Sequence, residues 1–266
     1  MTALSSRPSP IAVAPALLLV AISLWEVCAA RRDAASVPGD AAWAAAAERV
    51  RAGYRPGDLI VFAPDWIDPV GRLHLGDLIP LAVAARMDAA RYGRVWELAI
   101  RGARSPDTAG GEPVASEDVG GVVVRRYERA PAVVVGDVLE RLGSARSDGA
   151  RPTLELAEVG FAPHRCIQVS PPPGAPVRIA FPAFPLGREL VGYVGIADVF
   201  TRRDARSPGR LDVELAGKVI ASAEAGVDDG WVRFAAATPP GPAELVFVAR
   251  ASEGHRQICF AAEARQ

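Results

Sequence analysis

Residues 57–77, GDLIVFAPDWIDPVGRLHLGD, decide how the first half of this chain is read. Leu59–Ala63 is a short, continuous apolar run, the mark of a strand buried on both faces. Residues 64–77 carry acidic, aromatic and histidine side chains and read as a loop. In α/β domains, loops at the carboxyl ends of strands hold ligands. Upstream, Asp40 is expected to cap a helix over residues 41–54, closed by the turn Arg55-Pro56-Gly57-Asp58. Downstream, residues 78–92 read as a second helix, with Pro80 in its first turn and Gly93 as its stop. Residues 94–100 (RVWELAI) and 121–127 (GVVVRRY) read as strands joined by a polar loop over 105–120. A fourth strand is expected at 132–135 and a short helix at 138–142. Helices alternating with strands make residues 40–150 a small α/β unit.

From Arg151 the helical periodicity disappears. Strand-like runs follow at 164–169, 177–181, 190–196, 211–215, 218–222, 231–236, 244–249 and 257–261. Turn signals such as Ser207-Pro208-Gly209, Ala216-Gly217 and Pro239-Pro240-Gly241 separate them. This rhythm predicts a jelly-roll β-sandwich over 151–266. The expected fold class is therefore α+β with two domains, preceded by a membrane or signal helix and linker over 1–39. Cys166 and Cys259 fall on the first and last of these strands, which often lie side by side in a jelly roll. A disulfide between them would restrict nearly the whole domain in its unfolded state; two buried thiols are the other reading.

Thirty Lys and Arg against 31 Asp and Glu, a net charge of -1, exclude a broadly basic nucleic-acid binder. Lys218 is the only lysine. Residues 11–25 are apolar apart from Ser23, and 27–30 extend the run past Glu26. Both an uncleaved anchor and a cleaved signal fit this length. Residues 11–30 are thus expected to engage the membrane. The bulk would lie in the periplasm at the bacterial inner membrane, or be secreted after cleavage, and disulfides become possible.

The segment WAAAAERVRAGYRPGDLIVFAP, next to that apolar run, resembles the extracytoplasmic α/β tail of polytopic lipid-linked-sugar glycosyltransferases, the dolichyl-phosphate-mannose mannosyltransferase-like group, over residues 43–135. Their catalytic acidic residues lie in loops between earlier membrane helices that these 266 residues do not include. The resemblance implies a setting close to glycans; the transferase activity of the group does not carry over with it. The segments LVGYVGIADVFTRRD, DDGWVRFAAAT and RQICFAAEA resemble a galactose-binding-like β-sandwich over 161–263. That implies a fold compatible with saccharide binding, which also serves purely structural roles.

Asp65, Asp68, His74 and Asp77 form one carboxylate–histidine group, able in principle to hold a cation or supply an acid–base pair. Their spacing matches no metal motif. Equally, Asp68-Pro69 starts a turn, Asp77 caps a helix and His74 bonds locally. Trp66 offers a flat face for a sugar ring, or a lid over the core. Asp228, Asp229 and Trp231 form a second group, read either as an acidic turn beside a sugar- or calcium-binding aromatic, or as a tight turn with Trp231 in the sandwich core. His164 and His255 flank the cysteines at spacings unusual for zinc, and Arg101, Arg104, Arg125, Arg126, Arg202 and Arg203 are read as solvated faces. No catalytic constellation, metal or cofactor is expected. The expected function is a tethered, glycan-associated binding or accessory module of the envelope, with a saccharide or an envelope glycosylation protein as partner. The alternative is a hydrolase or transferase acting on glycans or phosphoesters through the Asp65–Asp77 loop.

Overall fold

The computed structural model describes residues 10–197, 207–254 and 256–266. The chain forms two compact units, described separately. The first takes in the N-terminal segment to Pro56, Ile60–Leu75 and Trp96–Tyr127. The second takes in Gly57–Leu59, Gly76–Val95 and Glu128–Gln266. The division is thus not one cut at residue 150: a piece from the middle of the expected α/β region belongs with the sandwich. Arg202, Arg203 and His255 lie outside the described residues.

In the first unit, α1 (Pro10–Ala35) is a long apolar helix whose described side chains from Ala14 on are almost all exposed. It is long and apolar enough to cross a membrane. Helix α2 (Asp40–Gly53) buries Trp43, Ala46, Ala47 and Val50, an i, i+3, i+4, i+7 stripe. Asp40 is its first residue and makes no capping bond; it faces His74 instead. Strand β1 (Leu59–Ala63) is buried at all five residues, as its apolar run predicts. What reads as a loop after it is helical: a 3-10 turn at Asp65–Ile67, then α3 (Asp68–Leu75). Gly71 lets α3 lie on the Phe62 ring; a Cβ there would overlap the ring.

The residues expected to form a helix at 78–92 give only one turn, α4 (Leu81–Ala84), and belong to the second unit. Three consecutive carbonyls are taken by partners distant in sequence. Ala85 O accepts from Arg165 N (3.0 Å), Arg86 O meets His164 Nδ1 (3.3 Å), and Met87 O accepts from Trp231 Nε1 (3.1 Å). Tertiary hydrogen bonds therefore replace the i→i+4 ladder that a helix would need.

The first sheet orders β1-β2-β4-β3, with β2 (Arg94–Ala99), β3 (Ala115–Val119) and β4 (Val122–Glu128). Strand β3 lies inside the expected polar loop. It pairs antiparallel with β4 around Gly120 (φ 62°) and Gly121 (φ 92°), positive values that a two-residue hairpin requires. Glu97 on β2 is fully buried. It accepts from Ser105 N (2.9 Å), from the Thr108 hydroxyl and from Arg125 Nη1 (2.6 Å). Arg104 and Arg126 stand over the rings of Tyr127 and Trp96. These arginines serve internal partners rather than solvent alone.

The second unit is an antiparallel sandwich. One sheet orders β13-β10-β15-β8-β7, with β5 also on β15; the other orders β12-β11-β14-β9-β6. The strands are β5 (Val134–Asp137), β6 (Arg146–Ser147), β7 (Thr153–Val159), β8 (Ala162–Val169), β9 (Val177–Leu186), β10 (Glu189–Ile196), β11 (Gly209–Leu215), β12 (Lys218–Ala225), β13 (Val232–Ala237), β14 (Gly241–Ala251) and β15 (Ile258–Arg265). The strand expected at 132–135 is β5, and it belongs to this sandwich rather than to the α/β sheet. Residues 138–141 form a turn in place of the expected helix. Phe181, Phe184, Phe247 and Phe260 fill the core with edge and stacked contacts. Cys166 on β8 and Cys259 on the neighbouring β15 form the expected disulfide, Cα–Cα 5.5 Å.

Candidate ligand-binding pocket

Strand β15, ICFAAEAR, is buried at every residue. Ile258, Phe260, Ala262 and Ala264 enter the core, so Cys259, Ala261, Glu263 and Arg265 stand on the other face by the period of two. Residues of the Gly76–Val95 segment meet that face, and the two polar side chains are buried there.

A burial of this kind demands partners, and each charge has one. Arg265 Nη2 donates to both oxygens of Asp88 (2.9 and 2.8 Å), and its Nε donates to Glu263 Oε2 (2.9 Å). Arg91 Nε donates to Glu263 Oε1 (2.7 Å) and its Nη2 to Asp137 Oδ2 (2.5 Å). Asp137 Oδ1 accepts from Leu139 N and Asp88 Oδ1 from Ala90 N. The result is an unbroken line, Asp88–Arg265–Glu263–Arg91–Asp137. Burial alone would lower the pKa of Arg265 and Arg91; the carboxylates outweigh it and raise both above the ordinary arginine value.

Beside this line lies an open pocket of about 320 Å³. Tyr92, Leu139 and Leu154 give it apolar surface, and Arg165 and Glu140 are exposed at it. Neither of those two side chains makes a hydrogen bond among the described residues, and Arg91 leaves Nη1 uncommitted in the same sense. The lining holds three arginines (Arg86, Arg91, Arg165) and four carboxylates (Asp88, Asp137, Glu140, Glu263), a difference of one charge. The site thus presents donors and acceptors in near balance, next to an aromatic ring; Asp88, Arg91, Asp137 and Glu263 are held in place by their ion pairs, and Arg165 and Glu140 stand at the open side.

Among the described residues, none of those singled out from sequence lines this pocket. Asp65 and Trp66 are exposed on the 3-10 turn. Asp68 bonds Arg72 one turn along α3, and His74 Nε2 lies 3.2 Å from Asp40 Oδ1. Asp77 is exposed on the 3-10 turn Gly76–Leu78 and belongs to the other unit. Asp229 accepts from Gly226 N (2.7 Å), the bond of a tight turn, and Asp228 is exposed beside it. Trp231 is not in the sandwich core. It stacks between His164 (centroids 4.4 Å) and Tyr193 (6.0 Å), beside the disulfide. With Cys166 and Cys259 bonded to each other, neither is a zinc ligand. Among the described residues no group of three His, Cys, Asp or Glu could hold a metal ion. A signal for the pocket wall was available: Glu263, with Arg265, alternates with apolar residues, but the strand expected at 257–261 stops short of both.

No family model matches the chain, and no curated protein is similar to it. Solved structures similar to it include tandem CBM51 modules of the family 98 glycoside hydrolase from Streptococcus pneumoniae (10% identity, 56% of this chain and 56% of that chain, TM-score 0.36). Others are the M60 catalytic domain with two CBM51 domains of Clostridium perfringens ZmpB (14% identity, 60% and 20%, TM-score 0.37) and the mannan-recognising carbohydrate-binding module TmCBM27 (15% identity, 52% and 99%, TM-score 0.30). The chain spans less than two thirds of the first two.

Proposed function

We propose that the protein is an extracytoplasmic saccharide-binding module, held at the bacterial envelope by α1, whose ligand enters the pocket at Tyr92. The observation that carries this reading is the line of pre-paired charges along the pocket. A neutral polyol cannot compensate the desolvation of a lone charge, but it can bond to carboxylates and guanidinium groups already neutralised by one another. Each carboxylate oxygen keeps acceptor capacity after one bond, and each sugar hydroxyl both donates and accepts. Near-equal numbers of arginines and carboxylates suit such a ligand better than a phosphate, which arginine excess selects. The volume fits about one or two sugar rings. Carboxylates held by arginines are suited to orienting hydroxyls rather than to moving protons. The apolar α1 and the Cys166–Cys259 bond both support a location outside the cytoplasm. The resemblance of residues 43–135 to glycosyltransferase tails supports a partner in envelope glycosylation.

A glycan array followed by calorimetry tests this. Tyr92→Ala and Glu140→Ala are each expected to weaken the best saccharide about tenfold or more, with unchanged melting, while Trp66→Ala leaves binding intact. Binding that survives both pocket variants, or no saccharide bound at all, would overturn the proposal.

A further inference from the structure

Helix α3 and the turn before it have two apolar sides. Ile67, Gly71 and Leu75 are buried, Gly71 directly on Phe62. Trp66, Val70 and Leu73 are exposed at 63%, 39% and 83%. At 3.6 residues per turn, 66, 70 and 73 fall in one stripe roughly opposite 67, 71 and 75. Exposed apolar residues scattered singly are ordinary; a contiguous stripe marks a contact.

The position of the stripe identifies the contact. His74, next to Leu73, lies 3.2 Å from Asp40. Asp40 is five residue steps beyond Ala35, the end of α1, a reach of about 18 Å at most. Arg101 donates to the Asp33 carbonyl (3.0 Å) and to Ser36 Oγ (3.4 Å), fastening this unit to the last turn of α1 and the residue after it. Arg31, Arg32 and Arg101 are exposed around that junction, where guanidinium groups match anionic headgroups. Tryptophan favours the same interfacial layer, with its ring in the apolar region and its N–H in the wet one.

We propose that Trp66, Val70 and Leu73 form a second membrane contact, seating the first unit on the surface of the bilayer that α1 enters. This rests on the reading of α1 as a membrane helix. The occupant is lipid rather than a protein because the stripe belongs to the unit fastened to the end of α1, where Arg31, Arg32 and Arg101 are exposed.

The full chain is reconstituted into vesicles of phosphatidylcholine and phosphatidylglycerol with an environment-sensitive fluorophore at one cysteine. The positions are native Cys28 in α1, Leu73→Cys, and Val219→Cys on β12, the last two in a Cys28→Ser background. Leu73 and Val219 are exposed, so neither label disturbs a core. A lipid-borne nitroxide is expected to quench the labels at 28 and 73 several-fold more than the label at 219. Quenching at 28 with equal response at 73 and 219 would overturn this inference and leave the anchor standing. No quenching at 28 would remove the anchor and this contact with it. Self-quenching at 73 that rises with the protein-to-lipid ratio, without lipid quenching, would make the stripe a contact between copies and overturn the proposal.

Discussion

His164 shows how one side chain can carry a tertiary arrangement. Its ring stacks on Trp231, and its Nδ1 must hold the proton to bond the Arg86 carbonyl. Burial is the main reason its pKa is lowered to about 4; the carbonyl bond pulls the other way, and the Arg86 charge adds to the lowering. The unfolded chain takes up a proton near pH 6.5, and the folded chain does so only near 4. The contribution is therefore fully present above 6.5 and is lost as pH falls towards 4, by about 3 kcal/mol in all. His164→Phe keeps a stacked ring that does not titrate. Its urea midpoint is expected to lose most of the dependence on pH between 6.5 and 4 that the parent shows; parallel curves would refute the assignment.

Among the elements, α3 is the one whose absence from the sequence reading matters most. Pro64, Asp65, Pro69 and Gly71 read as loop residues, yet Gly71 is where the helix meets Phe62. Gly→Ala inside a helix ordinarily stabilises by about 1 kcal/mol. Here the sign is expected to reverse: Gly71→Ala should destabilise the first unit by about 1–3 kcal/mol through overpacking, with partial rescue by Phe62→Leu in denaturant titrations. If Gly71→Ala stabilises, the close approach is wrong. Strands were legible where apolar residues ran continuously or alternated, as in β1, β4 and β11 with β12. Strands β3 and β7 escaped because they are mostly exposed edges with almost nothing to bury. The Gly120-Gly121 pair was the available clue to β3.

Across the whole molecule, the disulfide joins positions 93 residues apart. In the loop-entropy account, closing a loop of that length stabilises by about 4–5 kcal/mol. Reduction, or Cys166→Ala with Cys259→Ala, is expected to lower the guanidinium midpoint of the sandwich accordingly; an unchanged midpoint would make the bond energetically silent. Cys166 and Cys259 could be paired from sequence because they fall on the first and last of the predicted strands; in the structure β5, β6 and β7 come before β8, and the bond forms because β8 and β15 are neighbours. The apolar α1, the strand rhythm after residue 151 and the hairpin at Ala216-Gly217 were likewise readable, since each depends on side chains within a few positions of one another. The pocket was not. Arg91 meets Glu263 across 172 residues, and Arg265 meets Asp88 across 177. Residues 85–87 give up helix to bond His164, Arg165 and Trp231. Those choices belong to the tertiary structure, because which charge or carbonyl a side chain finds is set by chain reversal and burial, and neither leaves a periodic trace in the sequence.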